Sequence, residues 1–234
     1  MLLFCQSCEA QSDSRKGVKG NGDYSTEIRT TLKYSYVSLE GVMDIELVAG
    51  TEGELSVQAE SNFFDYIITE VEGDTLKIYK KGGANLEVSK RMGINITVPF
   101  EELDGVFSTA SGDIFSSDTI EANSFLARST GSGDIKLTVD AAKIQVFLAD
   151  SGDIVLMGNA KELECSTTES GDLDASKLRA EKVSALVSGS GDIDVYASQE
   201  LKANIKGSGD ISFAGNPKKQ DFQSTGSGSI SAND

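Results

Sequence analysis

The chain has 234 residues, 38% of them hydrophobic, with 24 glycines but only 2 prolines and no histidine. This composition can supply a packed core, favours a turn-rich fold over a helical one and argues against disorder. A formal net charge of −16 argues against nucleic acid or an anionic membrane surface as partners, because both would repel the chain.

Residues 1–17 are predicted to be the remnant of a lipoprotein signal followed by a tether. The segment "MLLFCQSCEAQSDSRKG" passes from a short apolar stretch through Cys8 into polar, glycine-bearing sequence, as bacterial lipoprotein leaders do. A complete signal has a basic region and about 7 to 15 apolar residues, so either translation begins further upstream or the segment is not a signal. We predict that Cys8 is the lipidated residue. Cys5 is the weaker candidate because Phe4 is too large for the position before the cleavage site.

Residues 18–100 are predicted to form a less regular β-unit. The segments "VSLEGVMDIELVAG", "ELSVQAE", "YIITEVEGDTLKIYKKG" and "INITVPF" alternate apolar and polar residues, and glycines separate them. This pattern is typical of strands joined by turns. The segment "ESNFFDY" at 60–66 predicts a short turn or helical piece that covers one end of the fold. No linker-like stretch follows, so this unit should be continuous with residues 101–234.

Residues 101–234 contain a repeated motif. "SGDI" occurs at 111–114, 132–135, 151–154, 190–193 and 208–211, with "SGDL" at 170–173 and "SGSI" at 227–230. Successive serines are 21, 19, 19, 20, 18 and 19 residues apart, a near-constant period that is typical of repeat proteins. Two runs of alternating apolar residues follow each motif, which indicates two short strands per repeat. We therefore predict an all-β fold, a parallel β-solenoid with coils of about 19 residues stacked about 4.8 Å apart.

The SGD motif is predicted to be a corner of this solenoid. Its glycine would adopt the positive φ of a sharp turn, and the flanking serine and aspartate would bond to nearby backbone amides. Small residues often precede the motif, and "MDI" at 43–45 imitates it. The next residue should enter the core as a ladder of Ile114, Ile135, Ile154, Leu173, Ile193 and Ile211. The aspartates should form a column of Asp113, Asp134, Asp153, Asp172, Asp192 and Asp210.

Charge repulsion in the aspartate column has to be offset. Two unit charges about 4.8 Å apart repel by roughly 0.9 kcal/mol in water and by more near a protein surface. We predict that corner backbone amides stabilise the carboxylates, with calcium as the rival. Calcium prefers oxygen ligands, and four outward carboxylates would be adjacent in two coils: Asp172, Asp174, Asp192 and Asp194. No metal site, cofactor or catalytic residue is assigned.

Cys165 would be the only cysteine after removal of the leader, so no intrachain disulfide is expected. It follows Leu163 by two residues in "LECSTTE", which places both on one side of a strand. The chain has no histidine to activate a thiol. We therefore interpret Cys165 as a buried structural residue rather than a nucleophile.

Four features in this order resemble the head GIN-domain family of putative auto-transporter adhesins. They are "VKGNG" at 18–22, "TEVEGDTLKIYKKG" at 69–82, "GINITVPF" at 93–100 and the SGD series. The resemblance covers about residues 18–230. It implies a right-handed, single-stranded β-helix exported to the cell envelope of a Gram-negative bacterium, and it supplies no catalytic residues.

Three other classes of repeat protein fit less well. Left-handed hexapeptide acyltransferases need an aliphatic residue every six positions, and repeats-in-toxin calcium rolls have a period about half as long. A polysaccharide lyase or hydrolase on a β-helix needs catalytic acids and bases that occur once, whereas the acidic residues here recur from repeat to repeat. Arg128 and Arg179 are the only arginines in the repeats, and tryptophan is absent.

The function predicted from sequence is a non-enzymatic adhesin or scaffold, lipid-anchored on the outer membrane surface and binding through a face of the solenoid. Its partner would be a surface glycan or protein, with no nucleic acid and no membrane contact except through the anchor. Self-association into a homo-oligomer is left open. The alternative function is the carbohydrate-active enzyme, which would need a concave groove holding a non-repeated acid and base.

Overall fold

The structure, a computed structural model, describes residues 17–89 and 92–233. The chain forms a β-solenoid of about 7 turns with coils of about 19 residues, which confirms the predicted fold class. The first ten strands are β1 (Val18–Lys19), β2 (Tyr24–Thr30), β3 (Tyr36–Glu40), β4 (Asp44–Ala49), β5 (Glu54–Glu60), β6 (Ile67–Glu72), β7 (Thr75–Lys80), β8 (Leu86–Glu87), β9 (Asn95–Phe100) and β10 (Gly105–Ser108). The others are β11 (Ile114–Ser129), β12 (Ile135–Leu148), β13 (Ile154–Thr167), β14 (Leu173–Val187), β15 (Ile193–Ile205), β16 (Ile211–Ala214), β17 (Lys219–Ser224) and β18 (Ile230–Ala232).

The long strands β11 to β15 each contribute to two walls around one core. The first wall consists of β2, β5, β9, β4, the first halves of β11 to β15, β16 and β18. The second wall consists of β6, β7, β3, β10, the second halves of β11 to β15, and β17. Inward residues of both walls are buried in the same apolar cluster, for example Leu137 and Val146. Alternate residues face solvent because a strand has a two-residue period.

The predicted interior ladder is confirmed by the strand register. Each of its six residues pairs with the next along the stack, and every one has at most 1% of its surface exposed. The ladder continues beyond the SGD repeats, because Ile45 pairs with Ile114, Ile96 with Ile45, and Ile211 with Ile230. The irregular region therefore contributes to the same core as the repeats.

The prediction that the SGD glycines have a positive φ was wrong. None of them has a positive φ; the glycines that do are Gly22, Gly41, Gly53, Gly73, Gly82, Gly93, Gly158 and Gly215. Instead, a Cβ on Gly152 would lie 2.3 Å from the carbonyl oxygen of Gly133 in the preceding coil, and a Cβ on Gly171 would lie 2.2 Å from that of Gly152. Glycine is required because the backbones of successive corners almost touch. The turn itself does not require it.

The resemblance of "MDI" at 43–45 to the corner motif is confirmed in space. A Cβ on Gly112 would lie 1.9 Å from the carbonyl oxygen of Met43. The backbone amide of Asp113 donates to Asp44 Oδ1 at 3.0 Å, as later corners do among themselves. Met43 thus occupies the glycine position in the coil before the repeats, where it is completely buried.

Antiparallel strands cover the end of the stack formed by residues 18–100. β2 pairs with β5, and β6 pairs with β7, both antiparallel. The segment expected to cover the end is a 3₁₀ helix, Ser61–Tyr66, which contacts β2, β5 and β6 and buries Phe63. Arg29 fixes it by donating to the carbonyl oxygens of Phe64 at 2.7 Å and Ile67 at 2.5 Å. The proposed domain limit at residue 100 stays a prediction, and strands pair directly across it.

The opposite end of the stack is more exposed. β17 pairs with the second half of β15, but all six of its residues are exposed. Its inward positions, in register with the buried Leu201 and Ile205, hold the polar Gln220 and Ser224. Phe222 is 39% exposed and contacts Phe213, with ring centroids 5.5 Å apart.

Candidate functional site

The predicted aspartate column exists and is held together by hydrogen bonds between coils. One carboxylate oxygen of each aspartate accepts a bond from the backbone amide of the next aspartate, at 2.7 to 2.9 Å. At the last corner Asp210 accepts bonds from the amide and hydroxyl of Ser229, which lower the pKa of Asp210. The amide hypothesis therefore accounts for the column, because each charge is stabilised by a donor in the following coil.

The suggested calcium patch lacks the required cluster. Asp174 and Asp194 are neighbours in register, but Asp174 Oδ1 accepts bonds from the amide and hydroxyl of Ser176. Burial first, and then the Asp174 carboxylate, raise the pKa of Asp194. Within residues 17–89 and 92–233, no group of three or more potential ligands lies close enough to hold a metal ion. The four aspartates thus form two adjacent rows and no common site.

The structure describes the surroundings of Cys165. Cys165 is a free, buried cysteine on β13, and burial raises the pKa of its thiol to about 12. This agrees with a structural thiol, since the thiolate is the reactive form. Cys5, Cys8 and the other residues before position 17 lie outside the described residues, so lipidation stays a prediction.

A cleft beside Tyr34 is lined by acidic and basic side chains that do not belong to the repeats. It has a volume of about 460 Å³ and is lined by Lys33, Glu52, Asp74 and Glu101, among others. Lys33 pairs with Glu101 at 3.4 Å, and its side chain is 85% exposed. The Tyr34 hydroxyl donates to the carbonyl oxygen of Pro99, so it is already engaged. These are the contacts of ordinary surface ion pairs and of a structural tyrosine.

A different surface, on the second wall, brings together side chains that are distant in sequence. We call it the aromatic patch: Tyr36, Phe107, Leu126, Arg128 and Phe147. Phe107, Arg128 and Phe147 occupy the same register position in three successive coils. Tyr36 and Leu126 flank Gly105 in the neighbouring row. Side chains at matching positions of parallel strands project to the same face, so all five lie outside one wall.

Gly105 shapes the aromatic patch. A Cβ at this position would lie 3.1 Å from the Tyr36 ring and 2.5 Å from the carbonyl oxygen of Leu126. The Tyr36 ring therefore lies over Gly105, where it stacks on Phe107 with centroids 5.6 Å apart and an interplanar angle of 24°. Phe147 is 42% exposed, which is high for a side chain of that size. Tyr36, Phe107 and Leu126 are half-buried beside it. A contiguous group of apolar side chains at a protein surface commonly marks an interaction site.

Arg128 is the charged member of the patch. It is exposed, it lies between two aromatic residues of neighbouring coils, and it forms no ion pair with any residue that the structure describes. Arg179, the other arginine of the repeats, lies over the Tyr196 ring at 4.2 Å from its centroid. Arg128 is therefore available to an external anion, in a chain with a net charge of −16.

The rest of the second wall balances its charges internally. One row alternates in sign from coil to coil: Lys143, Glu162, Lys182, Glu200 and Lys219. Lys182 pairs with Glu162 at 3.3 Å, and Lys143 pairs with Glu164 at 3.0 Å. The wall thus has a charge-paired part near β17 and an apolar part around the unpaired Arg128.

Sequence reasoning did not identify the aromatic patch. Its members do not belong to the SGD motif and are scattered from residue 36 to residue 147. A usable signal existed, however. Phe107 and Arg128 are 21 residues apart, and Arg128 and Phe147 are 19 apart, which matches the first two serine intervals of the repeats. Alignment of the coils would have placed the three side chains in one row.

Comparisons with known proteins agree with this fold. The solved structure of a putative adhesin from Bacteroides fragilis has a TM-score of 0.87 at 22% identity, covering 93% of this chain and 100% of that one. The structure of a putative lipid binding protein from Parabacteroides distasonis has a TM-score of 0.75 at 29% identity, covering 94% of this chain and 100% of that one. A putative adhesin from Parabacteroides merdae has a TM-score of 0.73 at 20% identity, covering 93% and 99%.

No curated protein matches the chain. The family model that matches is described as "Putative auto-transporter adhesin, head GIN domain", and it covers residues 33–217. This match includes the solenoid from β3 to β16 and every residue of the aromatic patch. The chain therefore belongs to the family of putative auto-transporter adhesins with a head GIN domain, as its sequence motifs predicted.

Proposed function

We propose that this protein is an exported, non-enzymatic surface adhesin that binds its partner through the aromatic patch of the second wall. The observation that carries the proposal is the surface group of the half-buried Tyr36 and Phe107 and the exposed Phe147 around an unpaired Arg128. Membership of an adhesin family supports the same role. A wall built from hydrogen-bonded, stacked strands offers a rigid platform, so a ligand would bind without a large ordering cost in the protein.

The same proposal includes a lipid anchor at Cys8. Stable anchoring needs more than one acyl chain, as bacterial lipoproteins have. Expression of the gene, including any upstream in-frame start, should give a membrane-bound product with a modified N-terminus at Cys8. Cys8→Ser should release the protein from the membrane fraction, whereas Cys5→Ser should not. An unmodified, unprocessed N-terminus would disprove the anchor.

Adhesion itself can be tested with matched exposed phenylalanines. Phe147 on the second wall is 42% exposed, and Phe115 on the first wall is 37% exposed. Cells that display the wild-type protein, Phe147→Ser or Phe115→Ser would be compared for attachment to epithelial cells and to extracellular matrix. We expect Phe147→Ser to lower attachment severalfold and Phe115→Ser to leave it unchanged.

Equal attachment by both variants would disprove the role of the second wall.

The non-enzymatic part of the proposal has a separate test. Incubation of the purified protein with a panel of acidic and neutral polysaccharides should yield no new reducing ends and no unsaturated products. Either product, formed in proportion to protein concentration, would favour the alternative of a carbohydrate-active enzyme.

A further inference from the structure

The spacing of the aromatic patch suggests the shape of its ligand. Phe107 and Phe147 are separated by two strand spacings, about 9.6 Å, with Arg128 in the coil between them. This separation is comparable to the length of a disaccharide. The row runs along the solenoid axis, across the strands, so an extended polymer lying along it would meet one ring, one guanidinium and a second ring in order.

The side chains present in this row match the chemistry of an acidic sugar polymer. The faces of aromatic rings carry negative electrostatic potential and attract the C–H groups on the flat side of a sugar ring. A guanidinium binds a carboxylate through two parallel hydrogen bonds, a geometry that an ammonium cannot reproduce. The row therefore offers stacking surfaces on either side of one anion-binding group.

The charge of the protein limits how acidic the ligand can be. A chain with a net charge of −16 repels polyanions, although charges more than about 8 Å away are largely screened at physiological ionic strength. A glycan with a carboxylate on every sugar would meet one unpaired cation and much repulsion. A glycan with a carboxylate on every second sugar would match one guanidinium between two rings.

From these observations, and resting on the proposed binding role of the patch, we infer that the ligand is a polysaccharide in which uronic acids alternate with neutral sugars. Arg128 binds one uronate carboxylate, and the rings of Phe107 and Phe147 stack on sugars to either side. Tyr36, held over Gly105 and against Phe107, extends the stacking surface at one end.

The test compares each acidic oligosaccharide with its own uncharged methyl ester. Hexasaccharides of hyaluronan, unsulfated chondroitin and heparosan all alternate a uronic acid with a neutral, N-acetylated amino sugar, and their methyl esters are uncharged. Binding to the purified full chain would be measured by titration calorimetry. We expect at least one of the three acids to bind about tenfold or more tightly than its own ester, because charge-assisted hydrogen bonds are roughly twice as strong as neutral ones.

Arginine variants then locate the contact. Arg128→Gln should weaken binding of the acid by about tenfold and leave the ester unchanged, and Arg128→Lys should recover only part of the loss. Arg179→Gln is the matched control, since Arg179 lies beside a different aromatic ring. It should have no effect. Phe147→Ser should weaken binding of acid and ester alike, because stacking does not depend on the carboxylate.

Several results would overturn the inference. They are failure of all three acids to bind, equal binding of acid and ester, or an Arg128→Gln variant that binds as the wild type does. Binding to phosphatidylcholine vesicles that is lost with Phe147→Ser would assign the patch to lipid instead. If glycan binding fails while Phe147→Ser still lowers cell attachment severalfold, the adhesin proposal stands and only the ligand class is wrong.

Discussion

Substitution of a corner glycine tests whether the solenoid depends on close backbone contact between coils. In Gly152→Ala the new Cβ would lie 2.3 Å from the carbonyl oxygen of Gly133, where ordinary contact begins at 3.4 Å, a shortfall of 1.1 Å. The oxygen belongs to the backbone and cannot rotate away. The two coils must therefore separate locally.

The cost can be estimated from the bonds at this corner. Overpacking of a rigid site typically costs about 1 to 3 kcal/mol. Separation would also weaken the bond from the Asp153 amide to Asp134 Oδ1, at 2.9 Å, and that from the Ile135 amide to the Asp153 carbonyl oxygen, at 2.9 Å. Each contributes about 1 kcal/mol. We expect a loss of roughly 3 kcal/mol, which lowers the melting temperature by about 6 to 12 °C in a chain of this size.

Gly50→Ala is the matched control for this substitution. Gly50 has no positive φ, and a Cβ there would meet only Pro99 Cβ at 3.7 Å, an ordinary contact. Replacement of such a glycine by alanine stabilises by about 0.4 to 1 kcal/mol, because the unfolded chain loses freedom. The two substitutions should thus change the melting temperature in opposite directions, as measured by circular dichroism. A Gly152→Ala protein as stable as Gly50→Ala would refute the close-contact explanation.

Three further predictions concern the core and the titrating groups. Ile154→Asp places an unpaired carboxylate in the fully buried ladder and should abolish folding. Ile154→Val should lower the free energy of unfolding by only about 1 kcal/mol. A cooperative melt of Ile154→Asp near the wild-type temperature would contradict the ladder. Because the folded state raises the pKa of Asp194, its ionised form is disfavoured in the fold. Asp194→Asn should therefore raise the melting temperature at pH 7 and have no effect well below the unfolded pKa of about 3.9. Asp221→Asn, at an exposed position, is the control, and a gain in melting temperature that persists at low pH would contradict this assignment. In a Cys5→Ser/Cys8→Ser background, Cys165 should react with a thiol reagent only at the rate of unfolding, and fast labelling of the folded protein at pH 8 would show that the thiol is accessible.

The architecture could be predicted from sequence because its determinants repeat along the chain. Ile114 and Ile135 both follow a Ser-Gly-Asp motif, so the position of one in its repeat predicts the burial of the other. The reason for the glycine at each corner could not be predicted in the same way. A positive φ is a property of one residue, whereas the contact between Gly133 and Gly152 depends on how closely two coils approach, and no local pattern reports that distance.

The aromatic patch was harder to predict than the core for a related reason. Core positions are constrained in every coil, so apolar residues recur there, but an outward position changes freely from coil to coil. The row that holds Phe107, Arg128 and Phe147 continues with Ser166 in the next coil. A ligand-binding row is thus a local departure from the repeat, and it is visible only after the register has been established.

The unequal ends of the solenoid determine where it opens first. In a stack of coils each unit is stabilised mainly by its neighbours. β17 and β18 each pair with one strand in the part of the chain that the structure describes, and their side chains are mostly exposed. Their amides should exchange with solvent before those of β11 to β13, which have neighbours on both sides. Tension applied between an N-terminal anchor and a ligand on β10 to β12 would pass through the half of the molecule that the antiparallel strands cover, so the weakest coil would carry no force.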